Sequence, residues 1–257
     1  MNLLYKIYPL WLREKIYFHL IARINPALKN SGGYDLEFAP VKMNALLPTD
    51  YGHRQIAWLG FYELDLSRKI SSLARQGGTM VDVGTNVGYF TCIWAASNPI
   101  NEVCSFEPSP RNLSMLRRNL SALNNPQRVQ IFDHAVGKEA GTLHFDIGPE
   151  EQSGWGGLAN TASARTIQVK VCRLDDLVPP NKTVSVLKID TEGADTWVLL
   201  GAVNLLRQKR IRHIFYEANL ERMQRLGIQP DEAGKFLTGL GYKVSAFGPQ
   251  EFYATPE

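Results

Sequence analysis

Five short stretches of this sequence carry residues able to do chemistry, each at or just after a run of β-branched and aromatic residues. They are Val81-Asp82-Val83-Gly84-Thr85-Asn86-Val87-Gly88, Phe106-Glu107-Pro108, Asp133-His134-Ala135, Lys188-Ile189-Asp190-Thr191-Glu192-Gly193 and Ile214-Phe215-Tyr216-Glu217. In the first, Gly84 and Gly88 occupy a strand-to-helix turn, where glycines let backbone approach a ligand closely. In the second, Glu107 stands where a carboxylate at a strand end can accept two hydrogen bonds from ribose hydroxyls.

A dinucleotide site shares that acidic residue but needs three glycines in GxGxxG to seat a pyrophosphate on a helix N-terminus. Here the turn reads DxGxNxG, with Asp82 at its start and Asn86 in its middle. A carboxylate there repels pyrophosphate and suits the cationic amino group of S-adenosylmethionine. The charge pattern therefore favours that sulfonium cofactor over a nicotinamide one.

Methyl transfer from a sulfonium is an in-line displacement, so the protein must align a nucleophile and exclude water. A hydroxyl acceptor must also lose a proton, which calls for a carboxylate or histidine in reach, or for a metal that lowers the hydroxyl pKa. Asp190 is the expected base. Glu192 shares its loop and Glu217 ends the neighbouring strand, so three carboxylates are expected to converge. Those oxygens would suit Mg²⁺, with Asp190 and Glu217 as ligands, but they serve equally as base, substrate clamp or amino-group contact, and the metal-free reading is favoured. Glu192 can alternatively complement the dipole of the helix that follows.

The elements that must hold these residues alternate. TMVDVG, EVCSFEP, RVQIFDHAV, VSVLKID and RHIFYEA read as strands, most of them separated by helical patterns, which is the βαβ alternation of an α/β fold with ligands at the strand carboxyl ends. Phe61 to Arg75 is predicted as a helix stopped by Gly77-Gly78, and Leu113, Leu116, Leu120 and Leu123 mark the apolar face of another, with Ser109 as N-cap and Pro110 first. TLHFDI and TIQVKVCRL, joined by a Gly-rich stretch, predict a hairpin inserted over the sheet.

The 257 residues are 44% hydrophobic and 21% charged, which suits one large domain with a buried core. The boundaries read as an N-terminal helical extension and connecting segment over 1–59 and a catalytic domain over 60–257. Residues 30 to 60 show no sustained period. A net charge of +3 without a dense Lys/Arg run argues against a nucleic-acid partner. Cys92, Cys104 and Cys172 are scattered, as core thiols of a reducing compartment are. The opening segment is interrupted by charges, unlike a signal peptide or membrane span, so a cytoplasmic location is expected.

DVGTNVGYFT, SFEPSPRNLSMLRRNL, HAVGKEAGTLHF, CRLDDL and LKIDTEGADTWVLLGA together resemble the FkbM-type methyltransferase family, collinearly over most of the chain. The resemblance implies a class I, Rossmann-like fold: a mostly parallel sheet with helices on both faces, here with the inserted hairpin and N-terminal extension. It implies that Asp82, Gly84, Asn86 and Gly88 contact the methionine part and that Glu107, with Pro108, holds the ribose. Asp133, with His134 and Ala135, would lie against the adenine, and Asp190 over the transferred methyl. Glu63 matches a Tyr-Glu pair often found before the first strand in such proteins; it is either a pocket wall or a helix-terminal charge.

Oxygen as the methyl acceptor is likewise lent by the resemblance. The implied acceptor is a hydroxyl on a small or glycosylated metabolite of the sugar, polyketide or glycolipid class. KIDTEG stands where nitrogen methyltransferases carry an Asn-Pro-Pro-Tyr type sequence, so N-methylation is the weaker alternative. Trp155, beside Ser153 at the hairpin tip, offers a flat face for stacking an acceptor on a mobile lid; His53 is either an acceptor-side base or an exposed loop histidine. Leu4, Ile7, Tyr8 and Trp11, then Leu20, Ile21 and Ile24, recur at helical spacing about Pro9, with a basic polar face. Such a helix packs on its own domain or lies on a membrane, and a non-catalytic cofactor-binding or membrane-docking module is the rival from a different class. The oligomeric state is not legible.

Overall fold

Seven strands form the main sheet of the computed structural model, which describes residues 8–24 and 33–257. They are β1 (Thr79–Val83), β2 (Glu102–Phe106), β3 (Val129–Phe132), β4 (Val184–Ile189), β5 (Ile211–Glu217), β6 (Tyr242–Ala246) and β7 (Glu251–Pro256). Their spatial order is 6-7-5-4-1-2-3, with β7 antiparallel to both of its neighbours and β5 through β3 all parallel. Every residue of β1 is buried, as a central strand covered on both faces requires. Alternate side chains separate into two cores: Met80, Val103, Val186 and Phe215 pack with Trp94 and Leu116, while Val81, Phe106, Leu187 and Tyr216 pack with Leu199 and Leu237.

The chain runs from β1 to β2 and β3 on one side and returns through β4 and β5 on the other. That reversal opens a crevice beyond the carboxyl ends of β1 and β4. Its two lips touch at Gly84, where an added Cβ would sit 1.9 Å from the carbonyl oxygen of Asp190.

Helix α1 (Leu10–Ile16) starts after Pro9 and continues through a wide turn at Tyr17–Ile21 into Ala22–Ile24, so Pro9 opens a helical segment, and the stretch before Tyr8 lies outside the described residues. Leu4 and Ile7, expected on its apolar stripe, lie outside the described residues. Helix α2 (Tyr51–Leu59) occupies the stretch that showed no period. Its buried face is His53, Gln55, Ile56 and Leu59, half of it polar, so hydrophobic periodicity had nothing to register. Helix α3 (Leu64–Ala74) begins three residues later than predicted, because Glu63 takes a left-handed φ of 45°.

Helix α4 (Tyr89–Ser97) follows the Gly-rich turn, and α5 (Pro110–Leu120) buries Leu113, Leu116 and Leu120 as expected. The predicted hairpin is the antiparallel pair Gly141–Asp146 and Thr166–Cys172, but it is the middle of a four-stranded sheet completed by Ala135–Val136 and Gly157–Ala159. Among the described residues no helix is long and apolar enough to cross a membrane.

Candidate active site

The turn after β1 is folded back onto β2 by its own amides: Gly84 N and Thr85 N donate to the Phe106 carbonyl at 3.0 and 3.1 Å. Asn86 then takes φ 52°, which asparagine tolerates, and its amide donates to Glu107 Oε2 at 2.8 Å. Glu107 Oε1 accepts from Ser109 N at 2.9 Å and is 3.5 Å from Asn112 Nδ2. A carboxylate has about four lone-pair sites, so capacity remains for a ligand's hydroxyls. Burial pushes Glu107 up to about 7, against the pull of the Ser109 and Asn86 amides, and hydrogen bonds from a diol would favour its ionised form.

Glu107, Pro108, His134 and Ala135 line a pocket whose apolar walls include Phe145 and Leu158, a suitable lining for a nucleoside. Ser153, Gly154 and Gly156 form the roof of that pocket. A wider cleft of about 920 Å³ opens beside it, and carboxylates converge there: Glu63, Asp190, Glu192, Glu217 and Glu251, with Lys188 among them. Asp190 lines both spaces, and its Oδ2 accepts from Lys188 Nζ at 3.1 Å.

Crowded acids resist ionisation. Burial and then the Asp190 charge raise Glu217 to about 9 and Glu63 to about 8; burial and Asp190, against the opposing pull of Arg222, bring Glu192 to about 7. Lys188 is pulled down by burial but lifted further by Asp190, Asp82 and Glu63, so its ammonium persists above the usual lysine range. A carboxyl whose folded pKa exceeds its unfolded value contributes stability that is complete below the unfolded pKa, near 4.5, and is lost as pH climbs through about 9. Between pH 7 and 9 the melting temperature should fall, and Glu217→Gln should flatten that fall. Thermal denaturation at several pH values checks this, and an unchanged slope would place the effect on other groups.

The family model for the methyltransferase FkbM domain matches residues 82–244. The chain belongs to the FkbM methyltransferase family. Among its relatives, Methyltransferase 1 of Beauveria bassiana is 31% identical over 146 residues, covering 48% of this chain and 57% of that protein. The match thus spans little more than half of the fungal protein's length. Hexuronic acid methyltransferase AglP of Haloferax volcanii is 26% identical over 178 residues, 68% of each chain. A solved FkbM methyltransferase from Methylobacillus flagellatus superposes with a TM-score of 0.49 at 18% identity, covering 70% of this chain and 43% of that one. The strand order and single antiparallel strand make this FkbM methyltransferase a class I, Rossmann-like α/β protein.

Within this family member, several expected site residues sit elsewhere. Asp82 faces the core under α4, not the crevice: it is 1% exposed, accepts from Thr91 Oγ1 at 2.7 Å, and lies 3.9 Å from Lys188, directly opposite it in register on β4. The reason is strand alternation, which sends position 82 to the same face as Met80. Gly88 caps α4 at φ 88° beneath Leu116 and does not line the pocket. Ser109 makes no side-chain cap; its amide serves Glu107 instead. Asp133 is exposed and paired with His134 at 2.8 Å, so His134 and Ala135 form that wall without it.

Glu63 precedes α3 without capping it and faces the cleft. Glu192 is engaged by Asn219 Nδ2 at 2.9 Å and Arg222 Nε at 3.5 Å, at φ 56°. Among the described residues no three His, Cys, Asp or Glu side chains are grouped to hold a metal ion.

His53 is neither exposed nor in a loop. It is 1% exposed on α2, accepts from Leu47 N through Nδ1 at 3.1 Å, and meets Ser153 Oγ through Nε2 at 3.2 Å. Burial lowers its pKa, so the neutral ring donates from Nε2 and the Ser153 hydroxyl passes the chain on to Asn86 Oδ1 at 3.3 Å. Asp50 accepts both His53 N at 3.0 Å and Ser153 N at 2.6 Å. The roof expected to be mobile is thus tied to the body at Ser153, while Trp155 stays 52% exposed on the rim of the cleft.

Three residues absent from the sequence reading matter. Asn112 reaches both Glu107 and the Ser153 carbonyl, at 3.5 and 3.3 Å. Asp195 accepts from Thr191 N at 3.0 Å and Glu217 N at 2.8 Å, pinning the ends of β4 and β5 together. Asp50 joins α2 to the roof. Asp195 and Asp50 left local signals, an acid in the first turn of one helix and an N-cap before another.

Proposed function

We propose that this protein is an S-adenosylmethionine-dependent O-methyltransferase acting on a hydroxyl of a small or glycosylated acceptor of the sugar class. The observation that carries the reading is the position of Asp190, which lines at once the pocket beside Glu107 and the wide polar cleft. When bound, the cofactor supplies a methyl group on a sulfonium centre. Glu107 would hold its ribose, the turn at Gly84 and Asn86 its amino-acid end, and the acid cluster would favour its positive charge. Asp190, hydrogen-bonded by Lys188, takes the acceptor proton, while Glu63 and Glu217, protonated at neutral pH, orient hydroxyls. The Ser153 roof excludes water.

A sugar acceptor is supported by the carboxyl-rich cleft with a tryptophan on its rim, and by the hexuronic acid named in the Haloferax relative. Calorimetry with S-adenosylhomocysteine, followed by incubation with S-adenosylmethionine and a panel of sugars, polyketide-like alcohols and glycolipids and mass-spectrometric location of the methyl, tests it. Homocysteine-product binding with oxygen-linked methyl on a sugar is expected; failure to bind, or methyl on nitrogen, overturns it. In the same assay Trp155→Ala should raise the acceptor's KM roughly tenfold, about 1.4 kcal/mol of stacking, with the cofactor's KM unmoved. Equal effects on both would remove Trp155 from acceptor binding.

A further inference from the structure

The helical segment from Leu10 to Ile24 packs on the body through one face only. Tyr17 and Arg13 are each 1% exposed, and Arg13 donates to the Leu59 carbonyl at 2.7 Å and to Glu37 at 2.9 Å. Leu10, Ile21 and Ala22 rest against the same core. The opposite side carries large side chains in the open: Tyr8 is 49% exposed, Trp11 52%, Phe18 38% and Leu20 59%. Residues 11, 15 and 18 recur at intervals of four and three along the helical segment and so form one stripe.

The charges on this side have one sign. Lys15 and Arg23 are exposed, and Lys15 Nζ lies 5.4 Å from the Trp11 ring centroid. Glu14, the acid of the segment, is partly buried, with Asp65 and Arg68 as its charged neighbours. Aromatic rings with interspersed cations suit the headgroup layer of a bilayer, where rings sit at the boundary and each Lys or Arg gains from anionic lipid. The centre of a protein–protein contact is instead depleted of lysine, yet Lys15 stands in the middle of this stripe.

We propose that this face seats the protein on an anionic membrane surface, with Trp11, Phe18 and Leu20 entering the headgroup layer and Lys15 and Arg23 meeting lipid phosphates. The face adjoins the cleft. Phe18 lies edge-on to Tyr17 at 5.4 Å, Tyr17 neighbours Arg54 and Tyr51, and Tyr51 is itself a wall of the wide cleft. An acceptor carried in the membrane would therefore meet the cleft mouth beside the docked helix, although docking itself does not depend on what the cleft methylates.

The test is sedimentation of the full chain with sucrose-loaded vesicles, either pure phosphatidylcholine or containing 30% phosphatidylglycerol by design (about the anionic fraction that attracts basic segments). The protein should pellet with the anionic vesicles and less at high salt. Trp11→Ala/Phe18→Ala should cut the bound fraction at least about fivefold, and Lys15→Glu/Arg23→Glu should abolish the preference for anionic lipid. Melting temperatures within about two degrees of the parent show that each variant is folded, independently of any cofactor. Protein that stays in the supernatant with every vesicle overturns the proposal, as does a double aromatic variant that pellets undiminished. A dimer in light scattering that the aromatic variant dissociates, without vesicle binding, would assign the face to a second copy and overturn it equally.

Discussion

Asp190→Asn should lower kcat about a thousandfold while leaving the affinity for S-adenosylhomocysteine within about threefold. Asparagine matches the carboxylate in shape and can still accept from Lys188, which stands 3.1 Å away, but it cannot take a proton, and loss of a positioned general base costs on the order of 10²–10⁴ in rate. The same exchange has a second consequence. Glu63, Glu192 and Glu217 are each raised in part by the charge on Asp190, so all three should ionise at lower pH in the variant. A shifted pH profile would accompany the lost turnover. Activity within a few-fold of the parent would remove Asp190 from the proton transfer and return the acid cluster to a purely binding role.

Gly84→Ala should abolish cofactor binding and lower the melting temperature by roughly ten degrees. The residue has φ 77°, and its new Cβ would lie 1.9 Å from the Asp190 carbonyl oxygen, a backbone atom that cannot swing aside. Left-handed strain costs about 1–3 kcal/mol and overpacking a similar amount, and the shift needed to relieve the clash parts the ends of β1 and β4. Gly239→Ala is the control. That glycine has nothing within 4 Å of an added Cβ and sits in a helix, so alanine there should leave the melting temperature unchanged or slightly higher. Differential scanning calorimetry with and without S-adenosylhomocysteine separates the two glycines. A Gly84→Ala protein that melts and binds like its parent would show that the lips of the crevice are free to part.

The sequence by itself determined five of the seven main-sheet strands and their order along the chain, the glycine turn, and the carboxylates at Glu107, Asp190 and Glu217, because each depends on residues within one turn or one strand of each other; the last two strands, Tyr242–Ala246 and Glu251–Pro256, it did not reveal. It also led to the family, since the motifs are local and collinear. What it did not reveal are the facts that depend on distant segments meeting. Asp82 reads as a ligand contact from its turn alone; only when β4 is laid beside β1 does the register set Lys188 opposite it, 3.9 Å away, with the carboxylate buried on the α4 side. His53 reads as a loop residue until α2 is packed, when its ring ties the roof at Ser153 to the turn at Asn86. The N-terminal helix shows a stripe of apolar residues, yet the face it buries holds Arg13 and Tyr17 and leaves Trp11 and Phe18 in the open. Periodicity reports which residues can share a face; only the neighbour that packs against it decides which face is covered, and that neighbour is supplied by the tertiary fold.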